Sequence, residues 1–167
     1  VGIMADIDDE KRASQALEEK ASRDELTGLY NRKTARKEIE YYLERRDPKE
    51  MAAMMLIDVD DFKLINDRYG HMFGDAVLQE ISSVLTRVLR KEDVISRIGG
   101  DEFLIFMKYI RRVDILKSRA EKIRESFQSM FRQNMTSCEF STSIGIACCP
   151  QDGTRFEDLF RHSDLAP

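Results

Sequence analysis

Residues 94–107 read VISRIGGDEFLIFM. Two β-rich runs, VISRI (94–98) and FLIFM (103–107), flank Gly99-Gly100. That pattern predicts a β-hairpin, because tight hairpin turns need positive φ and glycine adopts it without strain. Upstream, MAAMMLI (51–57) is a short apolar run bounded by charge. Its length suits a buried strand better than a helix. Downstream, EFSTSIGIAC (139–148) alternates and reads as another strand.

Helical patterns fill the spaces between these strands. In residues 75–90, Val77, Leu78, Ile81, Val84, Leu85, Val88 and Leu89 recur at spacings of three and four, and Asp75 stands where an N-cap would. Residues 112–132 carry Ile115, Leu116, Ile123, Phe127 and Met130 on one side. Residues 61–69 end at Gly70, a natural C-cap, and residues 32–46 end at Asp47-Pro48. Pro150, Asp152 and Gly153 make a turn, after which Phe156, Leu159 and Phe160 begin a last helix. Residues 5–22 are rich in helix formers, but Ile7, Leu17 and Ala21 give only a thin apolar stripe. Such a helix is marginal alone and reads as a stalk pairing with another copy, or as a connector from an upstream domain. The order is helix, strand, helix, helix, hairpin, helix, strand, helix. It predicts an α/β sandwich whose sheet mixes parallel and antiparallel strands.

Composition narrows the class. The chain has 167 residues, 42% hydrophobic and 35% charged, which suits one globular domain with a sizeable core. A net charge of −4 argues against a nucleic-acid polymer or membrane-surface binder that works through a basic field. No apolar run approaches the ~20 residues that span a bilayer. Cys138, Cys148 and Cys149 are an odd set with an adjacent pair, which points to a reduced, cytoplasmic compartment. The chain starts at Val1 and stops at Pro167 just after a helix begins, so a piece of a longer protein is expected.

Three polar clusters could carry chemistry. Asp58-Val59-Asp60-Asp61 directly follows the strand MMLI. Carboxylates at the carboxyl end of a strand can hold a hard cation such as Mg²⁺; the plainer alternative is a solvated strand end with Asp60 or Asp61 as N-cap. Asp101-Glu102 follows the Gly-Gly turn. Alternation should send these two acids to opposite faces, so at most one should reach Asp58 unless the turn is irregular. Two acidic clusters on neighbouring strands repel one another without a cation between them. The third cluster is Lys63, Asn66, Asp67, His71 and Asp75. A carboxylate here can accept both the N1–H and the amino group of guanine, a donor pair that adenine lacks. A cap for Asp75 and a turn for His71 are the plainer alternatives.

Together these segments resemble a known family. DELTGLYNR (24–32), DVD (58–60) followed by FKLINDRYGHMFGD (62–75), and GGDEF (99–103) look like the GGDEF-domain diguanylate cyclases. The resemblance runs from Asp24 to about Ala166. It implies a nucleotidyl-cyclase-like, ferredoxin-like mixed sheet of about five strands flanked by helices. The chain would then divide into a stalk helix (1–22) and a catalytic domain (23–167).

The activity implied is condensation of two GTP to cyclic di-GMP with release of two pyrophosphates. Each subunit of a transient homodimer would present one GTP. Two Mg²⁺ or Mn²⁺ ions per active site would clamp the attacking and leaving oxygens. By resemblance, Asp58 and Asp101 would be metal carboxylates and the Val59 carbonyl a further ligand. Glu102 would assist the metal or help deprotonate the 3′-hydroxyl. Phe62 and Lys63 would lie along the triphosphate, and Asn66 and Asp75 would read guanine. Asp24, Leu26, Thr27, Asn31 and Arg32 would join the stalk to the domain, with Gly99 and Gly100 shaping the turn. Arg90-Lys91-Glu92-Asp93 resembles the RxxD inhibitory product site, which Arg97 could assist. An upstream sensor domain is implied in the parent protein, which a membrane could anchor. The family continues with an Ala-Leu-Tyr-x-Ala-Lys-like helix and an Arg that contact phosphates. Here Ser163-Asp164-Leu165-Ala166 begins that helix and Pro167 ends the chain, so weaker GTP binding is expected of this segment. The remaining Cys, the eight methionines and His162 read as packing or surface residues.

Overall fold

A computed structural model describes residues 2–134 and 140–164. Cys138, the first residue of the expected 139–148 strand, and residues 165–167 lie outside it. The order is α1 (Gly2–Ser22), α2 (Arg32–Arg45), β1 (Met51–Val59), α3 (Phe62–Tyr69), α4 (His71–Val88), β2 (Val94–Arg97), β3 (Glu102–Ile110), α5 (Val113–Asn134), β4 (Thr142–Cys149) and α6 (Phe156–Asp164).

The strands lie in the order β2-β3-β1-β4. Every ladder between them is antiparallel. The mixed sheet of about five strands is therefore corrected, for the described residues, to four antiparallel strands. Among the described residues, the only parallel contact is a single-residue bridge from Tyr30 to Ser96 at the edge of β2. Topology explains the difference. The connection from β1 through α3 and α4 to β2 leaves those two strands running the same way, but β3 lies between them and opposes both. A βαβ unit split in this way has parallel members that never pair.

Both faces of the sheet are covered. Ala53, Met55, Ile57 and Val59 of β1 and Phe103, Ile105 and Met107 of β3 pack with residues of α3, α4 and α5. The alternate residues, Ala52, Met54, Leu104 and Phe106, pack with Ala35, Ile39 and Tyr42 of α2 and Phe156 and Leu159 of α6. Period-2 alternation sends neighbouring side chains to opposite faces, so a strand buried on both sides must be apolar throughout. This is why MAAMMLI and FLIFM carry no polar residue.

One helix boundary differs clearly from the sequence reading. The 75–90 helix begins at His71, so Asp75 sits in its second turn and is not an N-cap. The continuous apolar periodicity starts only at Val77 because the first turn packs through Phe73 and through Gly74, which carries no side chain to signal it. One residue, Gly70 at φ 89°, separates α3 from α4. Asp61 does occupy the N-cap position of α3, but in the left-handed region (φ 53°) and without a side-chain capping bond. In contrast to the sheet-facing helices, α1 buries no residue; Ile3, Met4, Ile7 and Leu17 are all exposed.

Candidate active site

The end of β1 meets the hairpin turn. Asp58 pairs across the sheet with Glu102 on one side and with Ser143 on the other. Asp101 precedes β3, in the irregular turn formed by residues 98–101. Its carbonyl accepts the Val59 N–H at 3.2 Å. Because it lies outside the strand, alternation does not turn it away from Glu102. Both acids act on Asp58, contrary to the expectation that only one would reach it. Neither turn glycine takes a positive φ, another departure from the tight-turn reading. Gly99 lets the Glu102 carboxylate lie close over the turn: a Cβ there would stand 2.7 Å from Glu102 Oε2, and the carboxylate would have to move aside.

The electrostatics are those of an uncompensated cluster. Burial pushes Asp58 up to about 6, and the Asp101 carboxyl beside it and the charges of Glu102 and Asp60 add to the rise. Asp58 and Glu102 line a cavity of about 190 Å³ with Ser143, Gly145, Ser163 and Asp164. Among the described residues, no three His, Cys, Asp or Glu side chains already stand in a cation-holding arrangement. The donor set is nevertheless that of a hard divalent ion: carboxylate oxygens whose mutual repulsion a cation would relieve.

A second group forms beside it. Asn66 Oδ1 is buried without a hydrogen-bond partner. It presses against Gly74, where a Cβ would sit 1.8 Å from Oδ1 and 3.1 Å from the Phe62 ring. Phe62 and Asn66 of α3 thus converge on α4 one residue before Asp75, which is exposed, as is Lys63.

Residues 23–31 form a wide turn seated on α4. The Thr27 N–H and hydroxyl donate to Asp24 at 2.9 and 2.7 Å. Gln79 donates to the Leu26 carbonyl and Ser82 to that of Thr27. Asn31 accepts from the Thr34 N–H, capping α2, and donates to the Ala21 carbonyl at the end of α1. The Arg32 guanidinium lies over the Phe160 ring. Burial pushes the Asp24 carboxyl up, but the bonds from Thr27 and the nearby Arg97 outweigh it and hold the group below its ordinary range.

Of the Arg90–Arg97 set, Arg90 and Asp93 line one cavity together with Lys91, while Arg97 is turned to Asp24 and the hairpin turn. Arg97 pairs with Asp24 at 3.2 Å and donates twice to the Gly100 carbonyl at 3.2 and 2.9 Å. It braces the Gly99–Asp101 turn. Asp93 is held by structural partners. Its side chain is fully buried, accepting the N–H of Arg90 and of Lys108 and pairing with Arg119 at 3.2 Å. Burial still pushes its carboxyl up. Only Arg90 of the three is exposed, on the rim of a cavity of about 620 Å³. Arg119, Ser141 and Ser143, with structural partners among the acids, carried no local pattern in the sequence.

A family model described as "Diguanylate cyclase, GGDEF domain" matches residues 21–166. The chain belongs to the GGDEF family. It is 34% identical over 161 residues to the cyclic di-GMP phosphodiesterase PdeR of Escherichia coli K12, covering 96% of this chain and 24% of that protein. It is also 34% identical over 169 residues to the diguanylate cyclase DgcM of the same organism, covering 98% of this chain and 39% of that protein. The chain thus spans well under half the length of these curated relatives. Among solved structures, the GGDEF domain of PA1120 from Pseudomonas aeruginosa superposes with a TM-score of 0.76 at 30% identity, covering 86% of this chain and 85% of that one. The coiled coil and GGDEF domain of DgcB from Caulobacter crescentus, solved with c-di-GMP, reaches 0.85 at 24% identity, covering 99% and 88%. That likeness extends the shared fold across α1. No helix among the described residues is long and apolar enough to cross a membrane.

Proposed function

We propose that this chain is the output domain of a diguanylate cyclase, condensing two GTP into cyclic di-GMP with release of two pyrophosphates. The observation that carries the reading is the self-repelling cluster of Asp58, Asp101 and Glu102, with Asp58 pushed up to about 6. Asp58 and Asp101, with the Val59 carbonyl, would hold two Mg²⁺ or Mn²⁺ ions. Bound there, the ions would neutralise charge on the attacking and leaving oxygens. The chain's own part is positioning. Lys63 and Phe62 lie along the triphosphate. The unpartnered Asn66 oxygen and the Asp75 carboxylate accept guanine's amino and N1–H donors, which excludes adenine. Glu102 completes the cation shell or takes the 3′-hydroxyl proton. Two such sites meet in a homodimer, and each 3′-oxygen forms a bond to the partner's α-phosphorus as pyrophosphate departs.

In this reading α1 is the stalk that links the domain to an upstream sensor and pairs with a second copy. Product feedback falls to Arg90 and Asp93, which line one cavity, with Arg97 bracing the neighbouring turn. Binding of cyclic di-GMP to the Arg90→Ala variant, measured by calorimetry, tests that role; unchanged affinity removes it.

A second reading, a GTP-binding regulatory module without turnover, is favoured by the 34% identity to PdeR, whose name gives a phosphodiesterase. The deciding experiment is GTP turnover by the parent protein, artificially dimerised, with Mg²⁺. The cyclase reading expects cyclic di-GMP and pyrophosphate in a 1:2 ratio. GTP binding without either product decides for the regulatory module.

A further inference from the structure

Asp60 follows the Val59 carbonyl and precedes α3, and its carboxylate is engaged by two serines. Its carboxylate accepts the Ser141 hydroxyl at 2.5 Å on one oxygen and the Ser143 hydroxyl at 2.7 Å on the other. Its N–H donates to the Ser141 carbonyl at 3.0 Å. Ser143 stands directly opposite Asp58 in the β1–β4 register, but its hydroxyl goes diagonally to Asp60. A serine has one proton to give, so Asp58 receives none from it. The two carboxylates are thereby sorted. Asp60 has a donor on each oxygen; Asp58 stands beside the carboxyls of Asp101 and Glu102.

The same contacts grip the backbone. The Val59 N–H is held by the Asp101 carbonyl and the Asp60 N–H by the Ser141 carbonyl. The chain then passes through Asp61 at φ 53° into α3, which carries Phe62, Lys63 and Asn66. We propose that Asp60 is a positioning residue and not a cation ligand. With Ser141 and Ser143 it locks the turn from β1 into α3, fixing where the Val59 carbonyl and Lys63 stand. The proposal rests on the cyclase reading for what those two groups do.

The test compares Asp60→Asn, the pair Ser141→Ala/Ser143→Ala, and the hydroxyl-retaining pair Ser141→Thr/Ser143→Thr in the full chain. Affinity for GTP with Mn²⁺ is measured by calorimetry, Mn²⁺ alone by electron paramagnetic resonance, and amide hydrogen exchange over residues 59–66 by mass spectrometry. The Asn and Ala variants are each expected to weaken GTP·Mn²⁺ binding by about ten-fold, the usual scale for hydrogen bonds to a charged group. Combining them is expected to cost no more than either alone, because they remove one unit. The Thr pair restores affinity, and exchange at 59–63 quickens only where the clamp is broken. If Asp60→Asn weakens binding of Mn²⁺ alone while the Ala pair changes neither affinity nor exchange, Asp60 is itself a ligand and the proposal falls. If the unaltered chain binds no GTP·Mn²⁺, the cyclase reading falls instead. Exchange then decides the clamp: faster in the Ala pair upholds it, unchanged overturns it.

Discussion

Strand β3 has an acid at each end, and the two are treated in opposite ways. Near Lys108, Asp93 is fully buried and has every need met by two N–H groups and Arg119. Near Glu102, Asp58 meets Asp101, Glu102 and Asp60, all acids. Arg119 goes to its acid, whereas Arg97 is spent on Asp24 and the Gly100 carbonyl. The difference separates structure from function. A carboxylate whose acceptor sites are filled from within holds a loop; one surrounded by its own kind is waiting for something from outside.

The largest effect should come from the unpaired end. In the cyclase reading Asp58→Asn removes a cation-holding charge, and kcat for GTP condensation is expected to fall on the order of 10²–10³-fold or more. Without added cation the same variant should melt higher than the parent, because a repulsion has gone. Lost activity together with a lowered melting temperature would place Asp58 with Asp93 as a structural acid.

At the other end the effect should be on stability. Asp93→Ala leaves two N–H groups and the Arg119 guanidinium without their acceptor, which should cost about 3 kcal/mol. Denaturant unfolding measures it, and turnover per folded molecule should be retained. Arg97→Met sharpens the contrast further. It strips Asp24 of a part-buried partner and frees the turn before Asp101, with an expected loss of about 1–2 kcal/mol. The accompanying fall should be in kcat rather than in affinity for GTP, and steady-state kinetics separates the two.

How far the sequence discloses this contrast depends on the range of each contact. The strands, the hairpin and the helix faces are legible because alternation and 3.6-residue spacing are local. The acids at Asp58, Asp101 and Glu102 are legible as a cluster for the same reason. Asp93 is not. Its partners Lys108 and Arg119 stand 15 and 26 residues away, and an Arg-x-x-Asp pattern contains neither. Asp60 is harder still, with serines 81 and 83 residues distant on a strand that only the fold brings alongside. Asp101 misleads by a single position: it lies just outside β3, where alternation ceases to apply. The start of α4 misleads because apolar periodicity reports packing, and its first turn packs on Asn66 through Gly74.

The smallest prediction concerns pH, and its dependence on Mg²⁺ distinguishes the two ends. Asp58 is pushed up to about 6 from an ordinary 3.8. The folded state therefore favours the protonated form, and ionisation penalises folding. That penalty is absent below the unfolded value and is complete once pH has risen through 6. Without divalent cations, melting temperature should rise modestly as pH is lowered from 7 towards 5. The gain is small because Asp58 is exposed and solvent screens the repulsion. Mg²⁺ at pH 7 should raise the melting temperature by the same relief, and little at pH 5, where a proton already occupies the site. Asp93 is also pushed up by burial, so it contributes a trend of the same sign, but one that Mg²⁺ cannot alter. Comparing the Mg²⁺ increment at pH 7 and pH 5 in the parent and in Asp58→Asn isolates the unpaired acid. An increment that survives in Asp58→Asn would mean that the cation acts elsewhere and that the acidic end of β3 is not its site.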